Sequence, residues 1–224
     1  MLQSWHDLLF AHWPLAPAAI QPLLPSGLVV ETFDGAAWLG IVPFRVELRV
    51  RWLPPLPGAS AFPELNLRTY VRAGDRPGVW FFSLDAGSAL AVAAARAFYA
   101  LPYHRARMAC ERDGEAVAYS SERTHRGSPP ASFAGRYGPQ GAAFTAEPGS
   151  LEHWLTERYC LYAARGSRLL RAEIDHASWP LQPAWAQLEA RSMALAAELE
   201  LPERAPLLHF ARRQEVHVWA PHGV

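Results

Sequence analysis

The chain has no lysine; its 21 basic residues are all arginine. A lysine amine can lose its proton when buried and form a Schiff base, whereas a guanidinium stays charged with a pKa above about 12. The α-amino group of Met1 is the only amine left for covalent carbonyl chemistry. Codon drift in a GC-rich genome, which favours Arg and Ala, is a sufficient origin. The chemical consequence holds whatever the origin.

Cysteine is scarce as well. Cys110 and Cys160 cannot make a disulfide framework, and each lies in an apolar stretch where a buried free thiol is the usual state. No apolar run approaches the roughly 20 residues that span a bilayer. Formal net charge is zero, so no global field draws the chain to nucleic acid or an anionic membrane. Arg45, Arg49 and Arg51 with Trp52 form a basic strand face, but Glu47 interrupts it and no basic cluster extends it. The N-terminus lacks the basic start and small-residue cleavage site of a signal peptide. The expectation is a cytoplasmic protein with neither nucleic acid nor membrane as partner.

Motifs of metal and cofactor chemistry are missing too. The histidines show no His-Glu-x-x-His and no His-x-His, and there is no P-loop, Gly-x-Gly-x-x-Gly or Gly-x-Ser-x-Gly. No metal and no cofactor is expected. Asp175-His176 is a weak acid/base pair, because neighbours in a strand face opposite ways.

What the chain does have is alternation. Half of its 224 residues are apolar, enough for a substantial core, and it is expected to fold as one domain over residues 1–224. Phe44–Arg51 alternates with period two. Leu28–Phe33 and Ala36–Val42 flank Asp34-Gly35, a hairpin signal, and Asp113-Gly114 joins Tyr103–Arg112 to Glu115–Thr124. Further strands are expected at Leu8–Trp13, Phe62–Arg72, Val79–Asp85, Tyr159–Ala163, Arg168–His176 and Leu208–Trp219. Helices are fewer: Ser88 caps one through Leu101, Ser150 one through Arg158, with short ones at Pro17–Leu24 and Ser192–Leu199. Leu53–Gly58 and about 125–141 read as loops. The fold class is α+β, predominantly antiparallel β, as a sheet or barrel.

Two polar rows stand out. As a strand, Phe62–Arg72 puts Leu65, Leu67, Thr69 and Val71 on one face and Glu64, Asn66, Arg68 and Tyr70 on the other, spaced about 6.5–7 Å apart. That row could hold a small polar ligand, or could equally be a solvated face with cross-strand pairing. The second row is Tyr103, Arg105 and Arg107, with His104 on the opposite face. Its arginines could fork a carboxylate or pair with neighbouring strands. Asp85, at a strand-to-helix junction, reads as a helix cap.

Taken in order, Leu9–Pro14, Phe33-Asp34-Gly35, Pro63–Val71, Phe82–Ala86, Leu101-Pro102-Tyr103, Glu157–Tyr162 and Trp179-Pro180-Leu181 resemble the YqjF-like family of uncharacterised bacterial proteins. The similarity runs from about Trp5 to Trp219. That family looks like a branch of the acetoacetate decarboxylase-like superfamily, which implies a largely antiparallel β barrel or cone with a few helices. The decarboxylases use a lysine Schiff base, and the resemblance places Tyr103 and His104 about where their lysine pair would be. It also places Glu64 near a pocket glutamate. Without lysine, that mechanism cannot carry over.

Three expectations follow. In the first, a barrel cavity binds a small carboxylate or carbonyl compound through Arg68 or Arg105, with Glu64 and Asn66 orienting the remainder and Tyr70 among the ligand-binding residues. In the second, the same cavity is an acid–base enzyme of isomerase or lyase type, with Glu64 or His104 as base and Tyr103 or Tyr70 as proton donor. The third is a non-catalytic protein that self-associates, as a homo-oligomer, through sheet edges or the Leu53–Gly58 loop.

Overall fold

The computed structural model describes residues 1–49 and 60–224. The proline-rich loop, with Arg51 and Trp52, lies outside the described residues. The strands in chain order are β1 (Leu2–Leu15), β2 (Val29–Val30), β3 (Ala37–Arg49), β4 (Ala61–Ala73), β5 (Arg76–Ala86), β6 (Tyr103–Asp113) and β7 (Ala116–Arg123). They continue as β8 (Ser132–Pro139), β9 (Cys160–Arg165), β10 (Arg168–His176), β11 (Gln182–Glu189), β12 (Leu207–Val218) and β13 (His222–Gly223). Four short helices are interposed: α1 (Pro17–Ile20), α2 (Ala89–Tyr99), α3 (Leu151–Thr156) and α4 (Arg191–Leu195).

Five antiparallel strands in the order β12-β1-β3-β4-β5 form a shared sheet. At β5 the sheet divides. One end of β5 pairs in parallel with β9 at Val79↔Leu161, the other with β6 at Leu84↔Tyr103. The first branch returns through β10 to β12 at Ile174↔Val218. The second returns through β7, β8 and β11 to β12 at Gln182↔Phe210. Two closed rings therefore share one sheet, and closure leaves few free edges.

Each face of the shared sheet carries its own core. On the β6–β8 side, Leu9, Ile41, Leu65 and Leu67 pack with Tyr119, Phe133 and Phe210. On the side closed by β9, β10, α2 and α3, Phe10, Val42 and Phe44 gather around Trp179, and Tyr70 with Phe81 around Leu161. The alternation of β4 is thus two-sided, with Leu65 and Leu67 toward one core and the polar row toward the other. Neither face is solvated: Glu64, Asn66, Arg68 and Tyr70 are all buried. The seam is tight where β5 meets β9. A Cβ on Gly78 would lie 2.6 Å from Cys160 Sγ, which is why only glycine fits there.

Several sequence expectations are corrected here. Strands β8 and β11 occupy segments that had no strand expected, because Gly135, Gly138, Pro139 and Pro183 within them read as breakers. The Asp34-Gly35 turn forms with positive φ at both residues (50° and 77°), the type I′ signature. It closes a single Phe33↔Ala36 bridge, however, and β2 pairs with β4 rather than β3. Ser88 alone caps α2, its hydroxyl accepting from the Ala91 N–H at 3.3 Å. Asp85 instead forms a bidentate pair with Arg123 of β7, at 2.7 and 2.8 Å.

Candidate functional site

A cavity of about 180 Å³ lies beneath the polar face of β4, roofed by α2, β9, β10 and the segment after α3. Glu64, Asn66 and Arg68 line it from β4, and Tyr103 from the start of β6. Phe44, Phe62, Phe81, Leu161 and Trp179 supply apolar wall, and α2 presents Ala91, Ala94 and Ala95. The cavity is comparable with one of about 150 Å³ that accommodates benzene, so it suits a ligand of up to about six carbons.

Glu64 and Tyr103 meet inside it. The Tyr103 hydroxyl donates to Glu64 Oε2 at 2.9 Å. Burial raises the Glu64 carboxyl to about 7, even though this hydrogen bond pulls the other way. Burial and the adjacent Glu64 push the Tyr103 phenol well above its ordinary range. The glutamate is therefore the member of the pair that exchanges a proton near neutrality, while the tyrosine keeps its own.

Arg68 is held from behind. Its Nη2 donates to Tyr70 Oη at 3.2 Å, and the same phenol oxygen is hydrogen-bonded with His12 Nε2 at 2.7 Å. Burial and the Arg68 charge hold His12 neutral, well below its ordinary pKa. The guanidinium also lies 5.4 Å from the Phe10 ring centroid. Among the described residues no carboxylate pairs with Arg68, and its Nε, though buried, has no partner. Tyr70 thus supports Arg68 rather than lining the cavity.

His104 and Arg105 are not brought to the site. His104 turns away from the cavity, its Nδ1 3.0 Å from Ser128 Oγ and its ring edge-on to His125. Burial, aided by Arg123, lowers its pKa to about 4. Arg105 is exposed; its backbone N–H donates to His125 Nδ1 at 3.1 Å and its carbonyl accepts from the Thr124 N–H at 2.8 Å. Arg107 pairs with Glu122 on the outer surface. The reason is topological: β6 touches the shared sheet for three residue pairs and then leaves to cover its other side. The row that begins with Tyr103 facing the cavity ends facing solvent.

Sequence reasoning missed Arg158 and singled out His176 only as half of a weak acid/base pair; with Trp179, both line the cavity. Arg158 follows α3, its Nε donating to the Trp154 carbonyl at 2.7 Å and its charge 4.4 Å from the Trp154 ring. It bonds Glu31 through Nη1, while the buried Nη2 has no partner. An arginine four residues after a tryptophan, both at a helix end, was the available signal. His176 Nδ1 lies 2.9 Å from the Ala177 carbonyl, and Asp175 beside it is exposed. Asn66 Oδ1 and Trp179 Nε1 are further buried atoms without partners.

The fold is that of the acetoacetate decarboxylase-like enzymes. An acetoacetate decarboxylase-like enzyme from Sphingomonas wittichii RW1 matches with a TM-score of 0.64 and 16% identity, over 100% of this chain and 92% of that one. The enduracididine biosynthesis enzyme MppR complexed with pyruvate matches with a TM-score of 0.65 and 11% identity, over 99% and 89%. At such identities the likeness concerns the fold.

The chain belongs to the DUF2071 family, described as an uncharacterized conserved protein, whose model matches residues 2–215. It is 47% identical to the uncharacterized protein YqjF of Bacillus subtilis (strain 168), over 98% of this chain and 90% of that protein.

Proposed function

We propose that this chain, acting as a single domain, binds a small organic acid in the cavity, with Arg68 taking the carboxylate. One observation carries the reading. Arg68 Nε, Arg158 Nη2, Trp179 Nε1 and Asn66 Oδ1 are buried polar atoms without partners, all on residues that line the one cavity. Buried polar groups are almost always hydrogen-bonded. Three of these four are donors, so the complementary ligand is rich in acceptor oxygens. That MppR is solved with pyruvate agrees with an acid of this size. In a thermal-shift screen of short-chain carboxylates, a ligand at a hundred times its Kd should stabilise by about 2.7 kcal/mol, or roughly 5–10 °C for a chain of this length. Arg68→Ala should abolish the shift. A shift that survives the substitution, or no shift with any carboxylate, would sink the reading.

The Glu64–Tyr103 pair favours a second reading, proton transfer at carbon. Glu64 as carboxylate would take a proton from the carbon beside a ligand carbonyl. The electron pair would move onto the carbonyl oxygen, where an arginine N–H stabilises it. Incorporation of solvent deuterium into such a ligand, followed by NMR, should fall at least about a hundredfold in Glu64→Gln. Equal exchange by the variant and the native protein would remove Glu64 from that role.

A further inference from the structure

The two cavity arginines are not equivalent. Arg68 lies 5.6 Å and Arg158 5.0 Å from the centroid of the same Tyr70 ring, so both cations border one small apolar space. Arg158 is ion-paired: Glu31, which follows β2, bonds its Nη1, and only 6% and 18% of the two side chains remain exposed. The Glu31 backbone N–H is fixed on the Tyr70 carbonyl at 2.9 Å, which holds the carboxylate on the outer side of Arg158. Glu31 itself does not line the cavity, whereas Arg158 does. Arg68 has no such counterion among the described residues.

A buried charge without a partner costs several kcal/mol, so a ligand's charge must match the charge the cavity leaves free. We propose that Glu31 is the specificity-determining residue of this site: by neutralising Arg158 it leaves Arg68 as the one arginine without a carboxylate among the described residues of the lining, the Met1 ammonium being held on the Val218 carbonyl at the exposed end, and the cavity selects monocarboxylates over dicarboxylates. Arg158 then offers its free Nη2–H to an uncharged acceptor on the ligand. This inference rests on the acid-binding reading above and adds the ligand's charge and the residue that sets it. A site that discriminates by an uncompensated buried charge can reach large ratios, because the wrong ligand leaves one charge unpaired.

Hexanoate and adipate test it, since they share six carbons and differ by one carboxylate. Binding is followed by tryptophan fluorescence at pH 6.5, because Trp5 and Trp179 line the cavity. The native protein should prefer hexanoate at least about tenfold. Glu31→Gln frees the Arg158 charge and should shift the ratio toward adipate by about tenfold or more. The double variant Glu31→Gln/Arg158→Gln again leaves Arg68 as the one unpaired arginine among the described residues of the lining and should return the preference to hexanoate. If Glu31→Gln does not fold, the double variant decides, and loss of the hexanoate preference there overturns the proposal. So does a native preference for adipate, or an unchanged ratio in a folded Glu31→Gln. Failure of hexanoate and adipate alike to bind the native protein overturns the acid-binding reading itself, a result distinct from bound ligands with an unaltered ratio.

Discussion

Arg123→Ala should lower stability by about 3–5 kcal/mol, the cost of leaving one member of a buried ion pair alone. Only 3% of the Arg123 side chain and 1% of the Asp85 side chain are exposed, so water cannot take over the lost contacts. Burial already pushes the Asp85 carboxyl up despite the guanidinium beside it. The pair therefore compensates for its own desolvation incompletely, and removing the cation makes that worse. Urea unfolding of Arg123→Ala and of the double variant Arg123→Ala/Asp85→Ala separates the two contributions. The double variant should recover part of the loss, because it removes the stranded carboxylate along with its partner. A loss below about 1 kcal/mol in the single variant would show that Asp85 simply takes up a proton or reaches solvent. The site should feel the change. Asp85 sits in the three-pair parallel ladder that also holds Tyr103, so loosening it loosens the hydrogen bond to Glu64.

That junction also shows what one sequence can reveal. The period of β4 is local, and it separates Leu65 and Leu67 from Glu64, Asn66 and Arg68 without knowledge of the rest of the chain. What alternation cannot say is whether the polar face meets water or a second layer. That depends on β9 and β10, about ninety residues further along the chain. The same blindness accounts for Arg105. Tyr103 and Arg105 have equal parity, and only the departure of β6 from the shared sheet gives them different surroundings. His104 has the opposite parity to Tyr103, and the structure keeps them apart as alternation requires. Arg158 was only partly legible: its spacing from Trp154 is local, but Tyr70 and Glu31 come from two other segments, and no spacing rule joins them to it. Strands β8 and β11 were missed because glycine and proline are read as breakers. In a closed ring they instead mark close approaches, such as that of Gly138 to the Glu115 carbonyl.

Glu64→Gln should stabilise the protein, by a margin that grows as pH rises from about 4.5 to about 7. The folded-state pKa of about 7 stands above the ordinary value of 4.5. Between those two values the folded state holds a proton that the unfolded state has released. Stability therefore declines as pH rises through this window and stays lowered above it. At about 1.4 kcal/mol per unit, the shift amounts to about 3 kcal/mol. Glutamine keeps the shape and the acceptor for Tyr103 but does not titrate. The variant should match the native protein near pH 4.5 and exceed it by up to about 3 kcal/mol at pH 8, as read by urea unfolding at both values. A difference independent of pH would show that Glu64 does not titrate near neutrality. A carboxylate that weakens the fold at working pH is what a site kept for chemistry or binding looks like. The same charge should act on the proposed ligand: a carboxylate on Arg68 would disfavour a second anion at Glu64, so binding should draw in a proton and weaken above about pH 7. In Glu64→Gln, hexanoate affinity should lose that pH dependence while Arg68 still holds the carboxylate.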